Sequence, residues 1–524
     1  MLSTIQARAA ALALFLTATP GFASDLTSPR LHHTAPYLGR TLTLTVDGAQ
    51  PLASVELYFN TAPGSFATPY GTLELARRGA RRLATGTTDA AGAWSFDLDV
   101  PLDPSLAESG AHFQAIVGDA SAPAGKVLTD AFHGRYLGSR VYAGHAGGMY
   151  VLGAESRSIV ARVEYASQAG YPYVRHEGKP VFDPEVTQGV VMSTPRELLF
   201  FDPYFGGVLA RIPFANDASR VLLAGAAPRT VYVLELASGA TPPRIHAIDI
   251  ASRAETGFLD LPYPVEPMWC AGAPGVDAYV LERSPTEWRV RRIGLEPLAD
   301  LGSVHVGGPL PPIGNYEFGS HDMAFASDEL LVSSLGQSSA FEILGSLTRC
   351  KVGTAGLEAS VVDMGRASAH LLTPVPALDR MLCSQAVTFT GPSGWLSQFR
   401  VHSIRGPAPV EPPFPSALYV EDIAVDGTTA WVLTATSDPG WCPELFRLDL
   451  ATWTWTDPEL YWCIRAEEEE VLHDPLVNQV WVSSLSDPAA RIRPAVTVVD
   501  AATMTSQKIR LDRDVLVLHA VPLP

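Results

Sequence analysis

The C-terminal part of the chain contains the stretch that decides the fold. It runs through Asp474-Pro475, Gln479-Val-Trp-Val-Ser483, Ala495-Val-Thr-Val-Val-Asp500-Ala-Ala-Thr503 and Lys508-Ile-Arg-Leu511. Apolar and polar residues alternate within these short runs, which predicts a meander of β-strands separated by tight turns. A single sheet of this size cannot bury both of its faces, so the stretch also predicts neighbouring sheets of the same kind.

The turn at Asp500 recurs along the chain. At each recurrence an apolar run meets Asp or Gly, which both tolerate turn geometry, and Asp can accept a hydrogen bond from the backbone two residues further on. The recurrences are Gly153, Asp202, Asp249, Gly294, Gly345, Gly406, Asp449 and Asp500. Their spacing is typical of propeller blades, so we predict an eight-bladed β-propeller over residues 138–524. Seven blades are the alternative, because Gly294 and Gly406 match this turn pattern least well.

The unit from Asp474 to Thr503 resembles the YVTN and NHL-like propeller repeats of bacterial extracytoplasmic proteins. In those repeats Asp-Pro, an apolar strand and Val-x-Val-hydrophobic-Asp-x-x-Thr follow one another, as they do here. The resemblance implies a propeller fold and a secreted binding role, and it implies no catalytic residues.

The two ends of the predicted propeller complement each other. The first unit, residues 140–165, is one strand short, whereas residues 515–520 form an extra apolar strand after the last unit. Pairing of these two segments would close the ring and cover the sheet edges that an open ring exposes. We therefore predict closure by the C-terminal strand.

Residues 1–23 have the features of a signal peptide. Arg8 precedes the apolar run Ala9–Thr17, and Gly21-Phe22-Ala23 forms a small-x-small cleavage site. This predicts an extracytoplasmic location, whether periplasmic, cell-surface or secreted, and a mature chain without a transmembrane segment. The formal net charge of −18 makes nucleic acid an unsuitable partner.

Residues 36–135 show a different pattern, in which period-two runs such as Thr41–Val46 and Trp94–Val100 alternate with turns. The sequence Thr88-Asp89-Ala-Ala-Gly92-Ala-Trp94 resembles the Thr-Asp-x-x-Gly-x-Trp turn of bacterial immunoglobulin-like domains. We therefore predict an immunoglobulin-like β-sandwich before the propeller, which makes the whole chain all-β.

Cysteine usage fits an oxidising compartment. Cys442 and Cys463 lie almost symmetrically about the predicted hairpin turn at Thr452–Trp453, so antiparallel pairing would bring them within disulfide range. Two separate buried thiols are the alternative. A pairing of Cys350 with Cys383 would join neighbouring blades, and Cys270 is interpreted as a buried apolar residue.

Polar residues gather where the repeat units begin. They are His321, Asp322, His370, Glu421, Asp422 and His473, with the run Glu467–Glu470 just before the last of them. Loops that lead into innermost strands face the central funnel of a propeller, so these side chains predict a site there for a metal or a cationic ligand. Turn or capping roles are the alternative interpretation for each of these residues, and the Glu run itself is interpreted as a solvated loop. Trp441 is a candidate for stacking on sugar rings, against the alternative that the tryptophans pack between blades.

Catalytic motifs are absent from the sequence: it contains no His-Glu-x-x-His, no Gly-x-Ser-x-Gly and no Walker or dinucleotide-binding loop. We therefore predict a non-enzymatic binding or scaffold protein that presents its propeller to a protein or glycan at the cell envelope. The alternative is a hydrolase or lyase with a His/carboxylate site in the funnel. No cofactor is predicted, although a structural or funnel-bound divalent cation is compatible with these residues. Convergence of three or more of the polar residues would favour the enzyme, and dispersal would favour the binding protein.

Overall fold

The structure is a computed structural model, and it divides into two compact units, Met1–Leu137 and Gly138–Pro524. It describes residues 29–34, 36–107, 109–145, 147–165, 179–183, 188–224, 229–239, 241–272, 276–283, 288–307, 322–326, 329–337, 343–353, 356–362, 367–387, 396–403, 418–436, 444–456, 470–475, 477–484, 494–515 and 517–520. These residues form β-strands and two 3-10 helices, Pro104–Leu106 and Pro376–Leu378. Over the same ranges, no helix has the length and hydrophobicity needed to cross a membrane.

The first unit contains ten strands. They are β1 Arg30–His33, β2 Thr41–Asp47, β3 Ser54–Asn60, β4 Pro63–Thr68, β5 Gly71–Leu75, β6 Arg81–Thr87, β7 Trp94–Asp99, β8 Gly110–Gly118, β9 Lys126–Leu128 and β10 Phe132–Arg135. One sheet has the order β1-β2-β7, and a second has the order β10-β8-β3-β6 with β9 also paired to β8. Strands β4 and β5 form a separate hairpin.

One hydrophobic core joins the two sheets of this unit. Leu42 and Leu44 of β2, Leu57 of β3 and Phe113 of β8 are all buried in the same cluster. Alternate residues of β2 are buried, as a strand with one covered face requires. The two sheets therefore pack face to face.

The turn predicted at Asp89 joins β6 of one sheet to β7 of the other. Asp89 Oδ1 accepts hydrogen bonds from the backbone N–H groups of Ala91 (2.8 Å) and Ala93 (2.9 Å). Gly92 has a φ of 80°, and a Cβ at this position would lie 2.0 Å from the carbonyl oxygen of Ala49. Asp and Gly are thus required here by the turn itself.

The described residues of the second unit form eight successive antiparallel sheets, which we number 1 to 8. Sheet 1 contains β11 Arg140–His145, β12 Gly148–Gly153, β13 Ser158–Glu164 and the C-terminal strand β41 Val517–Ala520; sheet 2 contains β14 Val181–Phe182, β15 Gly189–Thr194, β16 Glu197–Phe201 and β17 Val208–Pro213; sheet 3 contains β18 Ala218–Ala224, β19 Thr230–Glu235, β20 Arg244–Asp249 and β21 Ala254–Asp260. Sheet 4 contains β22 Val265–Ala271, β23 Asp277–Arg283, β24 Trp288–Leu295 and β25 Leu298–Gly307; sheet 5 contains β26 Asp322–Ala326, β27 Glu329–Gln337, β28 Ile343–Gly353 and β29 Gly356–Val362. Sheet 6 contains β30 Ala367–Val375, β31 Arg380–Val387 and β32 Leu396–Ser403; sheet 7 contains β33 Leu418–Asp426, β34 Thr429–Thr436, β35 Glu444–Asp449 and β36 Thr454–Thr456; sheet 8 contains β37 Val471–Asp474, β38 Gln479–Ser484, β39 Ala495–Asp500 and β40 Ser506–Arg510.

The C-terminal strand closes the ring, as predicted. Strand β41 pairs antiparallel with β11, with Val141 opposite Ala520 and Gly144 opposite Val517. From β18 onward, the first strand of each sheet contacts the first strand of the next, and β37 contacts β41. These first strands therefore form the inner wall of a β-propeller.

The recurring Asp has the predicted role in the turn between the third and fourth strands. In sheets 7 and 8, Asp449 Oδ1 and Asp500 Oδ1 accept from backbone N–H groups two and three residues further on, at 2.8–3.1 Å. The turn predicted at Gly345 is not present, because β28 continues through Gly345 to Gly353 and the turn follows there. Our turn assignment at Gly345 was therefore wrong. The mark at Gly406 lies outside the described residues.

Candidate functional site

Three carboxylates of the innermost strands link one sheet to the next: Asp322 is the first residue of β26, Asp422 lies in the middle of β33, and Glu470 directly precedes β37. Each accepts a hydrogen bond from a backbone N–H of the following sheet's first strand. These contacts are Asp322 Oδ2 with Leu372 N (2.7 Å), Asp422 Oδ2 with Val471 N (2.9 Å) and Glu470 Oε2 with Leu518 N (2.6 Å). The geometry places the acids of sheets 5, 7 and 8 at one end of the inner wall.

Buried serines of the second strands fix the backbone of two of these acids. Ser333 Oγ accepts from Asp322 N at 2.8 Å, and Ser483 Oγ accepts from Glu470 N at the same distance. In sheet 7 an irregularity in the pairing between Val420 and Asp422 precedes the acid. The serine hydroxyls accept from the backbone N–H groups of Asp322 and Glu470, so they hold the backbone that carries these two carboxylates.

Lys179, just before β14 of sheet 2, completes the arrangement. Its Nζ lies 3.4 Å from Glu470 Oε1. The Lys179 side chain is 47% exposed, whereas that of Glu470 is 15% exposed. We call Lys179, Asp322, Asp422 and Glu470 the channel cluster, and it contains three carboxylates for one ammonium group.

Burial and like charge perturb the acids of this cluster. Burial raises the pKa of Glu470 to about 7, and the charge of Asp422 adds to this rise while Lys179 opposes it. Burial also raises the pKa of Asp422, which the neighbouring charge of Asp322 increases further and Lys179 opposes. The ionised acids therefore repel one another in a partly desolvated place, and added positive charge would stabilise them.

Aromatic rings line the wall beside Lys179. His519 of β41 stacks on Phe182 of β14, with ring centroids 5.8 Å apart and planes 11° apart. Phe182 also contacts Tyr142, at a centroid distance of 4.9 Å. Burial, with a smaller contribution from the charge of Lys179, lowers the pKa of His519 to about 4, so this imidazole is neutral at pH 7.

The structure brings together only some of the residues selected from the sequence. Asp322 and Asp422 belong to the channel cluster. His321 and Trp441 lie outside the described residues. His370 and Glu421 lie on the described strands β30 and β33, but their side chains lie outside what is described.

His473 stands at the opposite end of its strand from Glu470. Its Nδ1 lies 3.4 Å from Asp426 Oδ2, its Nε2 lies 3.4 Å from Asn478 Oδ1, and its ring stacks on Trp431. Its neighbour Asp474 is buried and accepts a hydrogen bond from Ser139 Oγ, which ties sheet 8 to the start of sheet 1. The structure thus separates His473 from the channel cluster.

The described cysteines are thiols, not members of disulfides. Cys350 and Cys383 are buried in the cores of sheets 5 and 6, and Cys270 is half-buried. The alternative pairing of Cys350 with Cys383 is therefore not realised. Cys442 and Cys463 lie outside the described residues, so their disulfide stays a prediction.

The described tryptophans of sheet 7 serve in packing. Trp431 is fully buried, and Trp453 and Trp455 pack against the hydrophobic core that sheet 7 shares with Val375 and Leu382 of sheet 6. This agrees with the interpretation that the tryptophans pack between blades.

Sequence reasoning missed two members of the channel cluster. Glu470 was interpreted as part of a solvated Glu run, although an apolar residue follows it directly, as one follows Asp322 and Asp422. Lys179 belongs to no repeat motif, and its only signal is that the sequence contains few lysines. Among the described side chains, no group of three or more His, Cys, Asp or Glu is arranged to hold a metal ion.

Comparisons with known proteins give similarity of fold only. No family model and no curated protein matches the chain. Similar solved structures include dihydro-heme d1 dehydrogenase NirN in complex with DHE (TM-score 0.48, 12% identity, 72% of this chain and 74% of that chain) and apo AztD from Citrobacter koseri (0.45, 11%, 73% and 98%). BamB from Moraxella catarrhalis is also similar (0.42, 14%, 66% and 92%). Likeness at these identities does not bear on the ligand of this chain.

Proposed function

We propose that the chain is an extracytoplasmic binding protein whose propeller receives a positively charged group of a protein partner at the channel cluster. The observation that carries the proposal is the acidic character of that cluster: among the described residues, Asp422 and Glu470 both lie near the ammonium group of Lys179, and Asp322 lies near Asp422. Charge-assisted contacts between carboxylates and Lys or Arg are stronger than neutral hydrogen bonds. A basic side chain of a partner would add positive charge beside these carboxylates.

Lys179 already occupies part of the place that such a group would take. The separation of 3.4 Å between its Nζ and Glu470 Oε1 is long for a charge-assisted hydrogen bond, and its side chain is half exposed. Because the Lys179 side of this pair is half exposed, solvent screens it, and another cation can take its place. We infer that a partner's cation competes with Lys179 for the same carboxylates.

Two further considerations support binding over catalysis. His473, the described histidine among the residues selected from the sequence, contacts Asp426 and lies away from Asp322 and Asp422, so the cluster has no imidazole from this set beside its carboxylates. The extracytoplasmic location rests on the predicted signal peptide, on the resemblance to YVTN and NHL-like repeats, and on the predicted immunoglobulin-like domain.

Calorimetric titration of the mature chain with a tetralysine peptide tests the proposal. We expect saturable binding that weakens with salt and is lost in Asp422→Asn. Asp426→Asn is the matched control, because Asp426 ends the same strand, contacts His473 there and should not affect binding. The proposal would be overturned if the wild type did not bind tetralysine, as expected of a protein whose ligand is a neutral glycan. Equal affinity of wild type and Asp422→Asn for the peptide would also overturn it.

A funnel enzyme is the second candidate, and one observation favours it. A Glu whose pKa is about 7 beside a Lys is suited to general acid–base catalysis near neutral pH. A screen of the mature chain for hydrolase and lyase activity on envelope glycans would detect such an enzyme. Turnover that disappears in Glu470→Gln and persists in Asp426→Asn would establish it in place of the binding protein.

A further inference from the structure

Two histidines of the first unit face each other across neighbouring strands. His112 of β8 and His133 of the edge strand β10 are directly opposite in the antiparallel register. Opposite residues share one face of a sheet with their Cβ atoms close together, so the two imidazoles lie side by side. Their Nδ1 atoms are 3.1 Å apart, and their ring centroids are 5.2 Å apart.

The neighbour of His133 fixes which of its nitrogens carries a proton. Nε2 of His133 lies 3.3 Å from Glu74 Oε2, and an ionised carboxylate can only accept. The proton of a neutral His133 is therefore on Nε2, and Nδ1 directs a lone pair at His112. The space between the two Nδ1 atoms holds one proton at most, so at least one of these nitrogens is a lone-pair donor.

The backbone of Glu74 is itself held by Gln114, a buried side chain of β8. Its backbone N–H donates to Gln114 Oε1 at 2.7 Å, and the Gln114 amide donates to the carbonyl of Thr129 at 2.7 Å. Gln114 is buried and follows His112 by two residues on the same face of β8. The backbone of Glu74 is thus fixed to the same strand that carries His112, and its carboxylate reaches His133 from there.

We propose that His112 and His133 chelate a divalent transition-metal ion through their Nδ1 atoms, with Glu74 as the residue that positions His133. Metal–imidazole bonds of about 2.0–2.1 Å bridge two nitrogens about 3 Å apart at the angle of a tetrahedral or square-planar centre. A ligating His commonly donates its second N–H to a carboxylate, which is the relation between His133 and Glu74. This site is independent of the channel cluster and of the function proposed for it.

The chemistry of the donors selects the metal. Two imidazole nitrogens suit Cu²⁺, Ni²⁺ and Zn²⁺ and do not suit Mg²⁺ or Ca²⁺, which take oxygen ligands. His112 is buried, whereas the side chain of His133 is 38% exposed, so an ion can reach the pair from the solvent side. The protein supplies two ligands here, and water or a partner's donor would fill the remaining positions.

Titration of the full mature chain with Cu²⁺ tests the inference, because Cu²⁺ binds such donors most tightly among the common divalent metals. We expect one bound equivalent whose electron paramagnetic resonance spectrum shows coupling to two nitrogens. His133→Asn should lose this equivalent and, because His133 is partly exposed at a sheet edge, should fold as the wild type does. Glu74→Gln should weaken binding about 10- to 100-fold.

His32→Asn is the matched control. His32 also contacts a carboxylate in the same unit, with Nε2 2.7 Å from Asp47 Oδ2, but it faces no second histidine in the described contacts. This variant should retain the two-nitrogen signal. Retention of that signal in His133→Asn would overturn the site, and unchanged affinity in Glu74→Gln would overturn the role of Glu74.

Discussion

Replacing Glu470 by Gln should remove a pH dependence from the stability of the second unit. In the wild type, Glu470 Oε2 accepts from Leu518 N of the closing strand β41. Gln retains an acceptor for this bond and resembles the protonated acid, but it does not ionise. The variant therefore separates the charge of Glu470 from its contact with the closing strand.

The magnitude follows from the pKa of Glu470, which is raised from 4.5 to about 7 in the folded chain. A pKa raised on folding means that the folded state binds the proton more tightly than the unfolded state. The stabilisation is fully present below pH 4.5 and is lost as the pH rises through 7. Each pH unit in this window is worth about 1.4 kcal/mol, so the free energy of unfolding should fall by about 3 kcal/mol.

Urea unfolding followed by tryptophan fluorescence at pH 5, 6, 7 and 8 provides the assay. All tryptophans except Trp94 lie in the second unit, so the signal reports that unit. The stability of Glu470→Gln relative to wild type should rise by about 2.5 kcal/mol between pH 5 and pH 8, which covers most of the titration. Glu358→Gln, at an exposed position on β29, is the control and should follow the wild type at every pH. A constant difference between Glu470→Gln and wild type across this range would refute the reasoning.

Three further predictions concern ring closure, the disulfide and removal of the signal peptide. Truncation after Leu511 removes β41 (Val517–Ala520), and because each buried Val or Leu contributes about 1.5–3 kcal/mol, the chain should aggregate or melt far earlier; an unchanged melting temperature would refute closure. Cys442 and Cys463 should form a disulfide worth about 3 kcal/mol, seen as one linked peptide pair in a non-reduced digest; alkylation of both thiols would contradict it. The exported chain should begin within a few residues of Ser24, and N-terminal sequencing that finds the first residue intact would remove the compartment argument.

The fold could be predicted from the sequence wherever a local interaction determines the turn. Asp449 and Asp500 cap their own turns through side-chain contacts two and three residues away, so the signal is contained in a short stretch. Gly345 misled the prediction because glycine also occurs inside strands, and nothing local shows that β28 extends to Gly353. The closing strand was predictable because the number of strands at the two ends had to balance.

The candidate site could be predicted only in part, because its members meet through the closed ring. Asp322 and Asp422 were selected since each begins a repeat unit. Glu470 belongs to a run of acidic residues that look alike in the sequence. The contact with Leu518, 48 residues away, separates it from the others, and only the folded chain shows that contact. Lys179 meets Glu470 only because sheet 2 and sheet 8 both adjoin sheet 1 in the closed ring, and no local pattern carries that information.

The central claim is that the channel cluster binds positive charge in competition with Lys179, and opposite substitutions test it most directly. The measurement is the affinity of tetralysine for Lys179→Met and Asp422→Asn, by calorimetry at low salt. The account predicts that Lys179→Met binds roughly tenfold more tightly than wild type, about 1.4 kcal/mol, because an internal competitor is removed, and that Asp422→Asn loses binding. Weaker binding by Lys179→Met, or equal affinities of both variants and wild type, would contradict the account.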